Sequence, residues 1–442
     1  MNVSAVVGGT IVTPGGLVTS DLLIRDGKVA AIGPCPPGTG GKLAAAGCYV
    51  LPGGVDPHTH LMSAPSLAAA AAARGGTTTA ISFTSPRPGE SDLDCLLRSR
   101  EELTAGEMAI DIGLHAALYD PNHVSAVDLA AARRAGAAAV KVFLAYPELG
   151  IMCSDVRLAE LMSITASLGL VVAVHCENAQ LIAEREADAD AGAASAPRTF
   201  ADTRPPEAEH EAVARVLTAA SGAGATCYLV HLSTAGALHL VRRSRKSGQA
   251  DVHAEVCVHH LLLDNAHYDR PDAARYLVCP PLRSGNDVQA LWEGLTDGTI
   301  GSVGSDHCQT RTPTGEWLGG GLLAYGLAGI GPRLPLLMSE ATARGLPITH
   351  VARLAAENPA RAFGHYPRKG ALLPGSDGDV VIFDPASESV LPADGFGDGT
   401  GDSVYAGLAI KGRIRGVLLR GQLIVAEDEL LADERGGSYL AA

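Results

Sequence analysis

Lysine is scarce in this 442-residue chain: six occur among 34 basic residues, against 48 acidic ones, and the formal charge is −14. No lysine-rich stripe is present to release counterions from a phosphate backbone or an anionic bilayer, so nucleic acid and membrane are poor partners. The nine cysteines are odd in number, scattered and never spaced C-x-x-C, which argues against both a disulfide framework and a zinc ribbon and points to a reducing cytoplasm. There is no basic segment followed by an apolar one at the N-terminus and no uninterrupted strongly apolar run of about 18 residues, so an unprocessed, soluble protein is expected. A G-x-G-x-x-G after an early strand is also missing, which leaves a doubly wound nucleotide-binding sheet unsupported.

Hydrophobic residues make up 47% of the chain and charged residues 19%, enough for a large core and, by length, about two or three domains. Residues 4 to 50 hold short β-type runs (Ala5 to Val12, Asp21 to Ile24, Lys28 to Ile32) broken by Thr13-Pro-Gly-Gly and Arg25-Asp-Gly-Lys. The same texture returns near the C-terminus, at Gly378-Asp-Val-Val-Ile-Phe, Arg415-Gly-Val-Leu-Leu and Gln422-Leu-Ile-Val. Between these ends, eight apolar runs alternate with Ala/Leu-rich helical stretches. They are Cys48 to Val55, Thr77 to Phe83, Ile110 to Leu118, Ala138 to Ala145, Leu170 to Val174, Thr226 to Val230, Val252 to Cys257 and Ile300 to Val303. Eight βα units predict an α/β fold, a (β/α)8 TIM barrel over residues 51–368. A small β-sandwich would be formed by both chain ends, residues 1–50 and 369–442.

Several chemistry-bearing residues fall at the ends of these runs. His58 and His60, two apart in Asp56-Pro-His-Thr-His, share a strand face and can reach one metal, although either could be a polar terminus. His175 closes Val171-Val-Ala-Val-His, His231 closes Tyr228-Leu-Val-His, and Asp306 closes Ser302-Val-Gly-Ser-Asp; in a barrel such ends converge on one mouth. Lys141 lies inside the apolar run Ala138 to Ala145, where a free ammonium is costly. It either snorkels to the surface or is carboxylated by carbon dioxide into an anionic bridging ligand. Cys176, Cys308, His259, His260 and His307 read as packing or supporting neighbours.

As an ordered set, Gly53 to His60, Gly75-Gly-Thr-Thr-Thr, Lys141-Val-Phe-Leu-Ala-Tyr, His175-Cys-Glu-Asn, Thr203-Arg-Pro-Pro-Glu, Val230-His-Leu-Ser, Pro280-Pro-Leu-Arg, Gly304-Ser-Asp-His-Cys, Asn358-Pro-Ala-Arg-Ala-Phe-Gly and Gly375 to Asp384 resemble the amidohydrolase superfamily, specifically its dihydropyrimidinase, hydantoinase and allantoinase branch. The resemblance implies two divalent ions, most simply zinc. His58, His60 and Asp306 would hold one, His175 and His231 the other, and carboxylated Lys141 would bridge them. It further implies Asp306 as proton shuttle, Tyr146 as oxyanion donor, and Tyr146, Cys279 and Tyr325 as substrate contacts. The substrate would be a small cyclic amide, and the assembly a homotetramer or homodimer with Ser403 to Ala442 as a subunit-contacting tail.

The departures from that pattern surround the substrate. The stretch from Leu61 to Arg74 looks shorter than the branch's covering loop, Cys279 stands where a serine is usual, Tyr325 stands where an asparagine is usual, and Met62 replaces the arginine that dihydroorotases carry. A guanidinium clamp for a carboxylate is absent at that position. Hydantoin or dihydropyrimidine rings are therefore expected ahead of dihydroorotate. The alternatives are another cyclic amide or lactam such as allantoin, and a non-catalytic interaction protein on the same fold.

Overall fold

The computed structural model describes residues 1–61, 64–189, 196–308, 325–401, 403–431 and 436–442. Its central sheet contains eight parallel strands: β1 (Gly54–His60), β2 (Thr77–Phe83), β3 (Asp111–Ala117), β4 (Ala139–Phe143), β5 (Val171–His175), β6 (Thr226–Leu229), β7 (Asp251–Cys257) and β8 (Ser302–Gly304). Strand β8 pairs with β7 through Gly304, and after Ser305-Asp306 the chain resumes as His307–Cys308, which pairs with β1 at Thr59 and His60. The two ends of the sheet are thus successive pieces of one strand, and the barrel closes there.

Helices cover the barrel, and their starts follow local chemistry. Ser91, Ser125, Ser154, Thr234 and Ser284 each accept a backbone N–H of the following first turn, a cap contributing roughly 1 kcal/mol. The segment between His60 and Gly75 is mostly a helix, Pro65–Arg74, with proline in its first turn and a buried alanine face. Alanine is the best helix former and proline is preorganised at a helix start, so these residues form a barrel helix where the sequence reading had a shortened loop. Met62 lies outside the described residues.

The chain ends form one mainly antiparallel sheet. Tyr49–Pro52 joins its halves, running parallel to Ala5–Thr13 and antiparallel to Val380–Val390. Val6, Ile11, Leu22, Val50, Val380, Ile382 and Leu418 fill the core that it wraps. The apolar run read as a single strand, Cys48 to Val55, is therefore split: Tyr49–Pro52 belongs to this sheet and Gly54–His60 to the barrel. Gly53 marks the crossing, because a Cβ there would meet Thr78 Oγ1 at 2.1 Å, an approach only glycine permits.

At the barrel floor, Lys369 Nζ lies 2.5 Å from Asp111, 2.7 Å from Asp379 and 3.0 Å from Asp377, tying β3 to the second sheet. The C-terminal residues fold back onto the same edge. Ser438 donates to Asp111, and Leu440 N–H donates to the Ile112 carbonyl.

Candidate metal centre and active site

The mouth of the barrel gathers the residues singled out by sequence. His58 sits inside β1 and His60 at its end; His175 ends β5. His231 falls two residues beyond β6, and Asp306 lies in the gap between β8 and His307–Cys308. His231, Asp306 and Tyr146 all have positive φ (37°, 48° and 68°). That backbone region is uncommon for residues with a Cβ, and its use here marks sharp bends that turn these side chains inward.

Two clusters result. His58 Nε2 is 3.0 Å and His60 Nε2 3.4 Å from Asp306 Oδ1. His175 Nδ1 and His231 Nε2 are 3.1 Å apart. The His58 and His231 ring centroids lie 5.4 Å apart, so the clusters adjoin. Lys141, 2% exposed in the middle of β4, has its Nζ 4.9 Å from the Phe83 ring centroid and 5.3 Å from that of Phe143. Among the described residues no carboxylate lies within ion-pair distance of it. Burial lowers its pKa to about 8, even though Asp306 and Glu255 act in the opposite direction.

The remaining titrations suit cation binding. Burial holds His175 and His60 below, and His231 well below, the usual imidazole value, leaving neutral rings with lone pairs to offer. His58 is the exception: burial would lower it, but Asp306 and Glu255 on either side raise it to about 9. Asp306, despite its burial, is held well below the carboxylate range by His58 and its neighbours. A carboxylate beside an imidazolium is the arrangement that a divalent ion replaces when it takes the place of the ring proton.

Four residues that the sequence reading gave no role orient these groups. Glu255 on β7 accepts from His58 Nδ1 at 2.7 Å, from the Tyr228 hydroxyl at 2.9 Å and from His231 N–H at 3.1 Å. With Nδ1–H held there, His58 Nε2 faces the centre, the usual way a carboxylate fixes a metal-binding tautomer. Glu177 does the same from the other side, 2.9 Å from His175 Nε2, leaving Nδ1 toward His231. Asp56 Oδ1 accepts from the backbone N–H of both His58 and Ser305, linking β1 to the start of the Asp306 bend. Arg333, fully buried, lies 3.4 Å from Asp56 Oδ2 and donates to the Val303 carbonyl and Thr77 Oγ1. The available signal for Glu255 was the one used for Lys141, a charged residue inside an apolar strand.

Tyr146 is buried at the end of the β4 connection, its hydroxyl 3.2 Å from His175 Nε2 and within hydrogen-bond reach of the Cys279 thiol. Burial, reinforced by Cys279 and Glu177, raises its pKa well above 10, so it carries its proton at neutral pH. Tyr325 packs against Phe200 in a tilted pair with centroids 4.5 Å apart, and the Arg204 guanidinium lies 4.2 Å from the centroid of the same Phe200 ring.

Comparison with known proteins agrees with this geometry. The model of the Amidohydrolase family matches residues 49–424. The chain belongs to the amidohydrolase family. It is 34% identical to the D-hydantoinase of Ralstonia pickettii, over 98% of this chain and 97% of that one. It is 33% identical to a D-phenylhydantoinase of Escherichia coli, over 98% and 96%. Among solved structures it matches the dihydropyrimidinase from Brevibacillus agri at 31% identity with a TM-score of 0.91, covering 100% of this chain and 98% of that one. Relatives at this identity over nearly the full length support a cyclic amidohydrolase, and the family implies a divalent metal centre. The donor set fits that implication: four imidazoles, three of them kept neutral by burial, and one ionised carboxylate within a single mouth. No helix among the described residues is long and apolar enough to cross a membrane.

Proposed function

We propose that this amidohydrolase opens a five- or six-membered cyclic ureide or imide, with 5-substituted hydantoins preferred over unsubstituted dihydrouracil. The observation that carries the reading is the adjacency of the two clusters, His58/His60/Asp306 and His175/His231, beside a lysine with no carboxylate partner among the described residues. The first cluster would hold one divalent ion and the second another. Lys141, once its neutral amine has added carbon dioxide and released a proton, would offer a carbamate oxygen to each. Nitrogen and oxygen donors without thiolate suit zinc, and such ions make water nucleophilic near neutral pH and polarise the scissile carbonyl.

The protein's own groups do the rest. Asp306 accepts the nucleophile's proton and delivers it to the leaving ring nitrogen. Tyr146 donates its hydroxyl hydrogen to the oxygen of the carbonyl under attack, a contribution of roughly 3 kcal/mol. Cys279, beside Tyr146, and Tyr325 line the ring site, and the tilted Tyr325–Phe200 pair offers an aromatic surface to a bulky 5-substituent. We further place the protein in the cytoplasm as a homo-oligomer, in keeping with nine free thiols.

Elemental analysis of chelator-free protein should give two equivalents of metal per chain, zinc by this reading. The substrate is tested by comparing kcat/KM for dihydrouracil, hydantoin, 5-phenylhydantoin, allantoin and dihydroorotate, with Tyr146→Phe lowering the preferred value about 100-fold. A best rate on dihydroorotate or allantoin would overturn the substrate assignment, and an unchanged Tyr146→Phe would remove the oxyanion role. Absence of metal after reconstitution with zinc and bicarbonate would favour a non-catalytic interaction protein.

A further inference from the structure

Each ligand cluster has a buried arginine behind it, and the two arginines are attached in parallel ways. Behind His58 and Asp306, Asp56 gives Oδ1 to the backbone N–H of His58 and Ser305 and leaves Oδ2 3.4 Å from Arg333 Nε. Behind His175 and His231, Glu177 gives Oε2 to His175 Nε2 and leaves Oε1 4.0 Å from Arg283 Nη2. All four side chains are buried, and among the described residues none of these inner atoms (Asp56 Oδ2, Arg333 Nε, Glu177 Oε1, Arg283 Nη2) has a hydrogen-bond partner. The other guanidinium near Glu177, that of Arg204, is paired with Glu186 at 3.1 Å. Arg283 comes from neither ligand strand: it precedes Ser284, the cap of helix Gly285–Thr296, just as Arg333 opens helix Arg333–Ala343. Its remaining nitrogens reach the second ligand of the same cluster. Nε donates to Ser233 Oγ at 3.0 Å, and Nη1 donates to the Arg204 carbonyl. Ser233 stands two residues after His231 as Glu177 stands two after His175, and Glu209 Oε1 accepts from both its N–H and its hydroxyl at 2.9 Å.

We propose that Arg283 is a positioning residue for the second divalent ion, holding His175 and His231 at their mutual spacing through Glu177 and Ser233, while Arg333 serves the first ion through Asp56. The inference rests on the two-ion reading above. A carboxylate fixed only to an imidazole can swing with it. An opposite charge facing its far oxygen holds it still, because separating such a pair in the protein interior strands both charges. Metal affinity follows how firmly the groups around the ligands fix their orientation. The Arg333 set (Asp56, Thr77, Val303) and the Arg283 set (Glu177, Arg204, Ser233) share no residue, so each guanidinium controls the occupancy of its own cluster.

A merely structural arginine would weaken both ions alike, so the test reads the two clusters separately. Crystals of the full chain are equilibrated with bicarbonate and a series of chelator-buffered zinc concentrations, and anomalous scattering gives the zinc occupancy at each cluster, with circular dichroism reporting the fold. Arg283→Met should weaken zinc at His175/His231 about 10- to 100-fold and leave His58/His60/Asp306 at least about tenfold less affected. Arg333→Met should give the mirror image. Arg283→Lys keeps the charge opposite Glu177 but loses the fork that joins Ser233 to the Arg204 carbonyl, and should recover part of the lost affinity. Should Arg283→Met fail to fold, Ser233→Ala decides: it removes only the acceptor beside His231 and should show the same selectivity with a smaller loss. Equal weakening at both clusters, or an unchanged second cluster, overturns the assignment, and an Arg283→Lys no better than Arg283→Met overturns the role of the charge. Failure of the two-ion reading would show in the wild type alone, as fewer than two zinc positions at saturation.

Discussion

Two lysines are almost completely buried in this protein, Lys141 in the barrel wall below the mouth and Lys369 at the floor, and their surroundings are opposite. Lys369 is enclosed by Asp111, Asp377 and Asp379, and although burial would lower its pKa, these three carboxylates raise it above the ordinary lysine value. Lys141 faces aromatic rings and imidazoles, and its pKa drops to about 8. The same residue type is a permanent cation in one place and a reactive amine in the other. Asp111, Asp377 and Asp379 have the spacing of a cation site, but the Lys369 ammonium already supplies the cation. At the mouth, by contrast, carboxylate and imidazoles converge around an amine that gives up its proton near pH 8. The floor is organised for stability and the mouth for chemistry.

Replacing each lysine tests that contrast. Lys141→Ala should lower kcat/KM by on the order of 10³-fold or more, exceeding the loss of a single electrostatic donor. Metal content should fall in parallel, folding stability should be kept, and a short-chain carboxylic acid should restore part of the activity. Wild-type turnover in this variant would remove the contrast altogether. Lys369→Met should do the reverse: it takes from Asp379 its ammonium partner and leaves Asp111 with Arg420 and Asp377 with the more exposed Lys28 and Arg368, a loss of about 3–5 kcal/mol, read as a lower denaturant midpoint, while bound metal and turnover per folded molecule stay near wild type.

Finer effects sharpen the same comparison. Glu255→Gln keeps the shape but weakens the acceptor for His58 Nδ1–H, and metal affinity should fall about 10- to 100-fold by competition with a chelator, with little change in unfolding. pH separates the two amines further. Carbon dioxide adds only to a neutral amine, so reactivation of metal-stripped enzyme with zinc and bicarbonate should accelerate as pH rises through about 8 and then level off. Lys369, with its folded pKa raised, contributes stability that is complete below the ordinary lysine value and is lost as pH climbs through the folded one. An uncarboxylated Lys141 has the opposite sign: its cost is complete below about 8 and is lifted as pH rises toward the ordinary lysine value. Stability curves of metal-free wild type and Lys141→Met should therefore converge with rising pH.

Much of the architecture was legible because it is written locally. Apolar runs bounded by turn residues mark strands, caps mark helix starts, and the barrel strands emerged near the expected positions. The run Cys48 to Val55 misled because hydrophobicity is the same in both sheets; the change of sheet at Gly53 is decided by the close approach of Thr78. The Leu61 to Arg74 stretch misled because its loop reading came from comparison of lengths, whereas its alanines and Pro65 favour a helix.

By itself, the sequence determined which side chains end the barrel strands and hence which groups can meet at the mouth, since strand direction and a common barrel end carry His58, His60, His175, His231 and Asp306 there. Tertiary structure alone decided their partners. Glu255 lies 197 residues from the histidine it orients, Asp111 258 residues from the lysine it binds, and Asp56 249 residues from Ser305. A buried charge takes its pKa and its role from whatever is packed within a few ångströms. Periodicity along the chain carries no record of that register between distant strands: Lys141 stands in an apolar run and Lys369 follows Arg368 in a turn-rich stretch, yet both are buried, and only their packed neighbours set one as an amine of lowered pKa and the other as a structural ion pair.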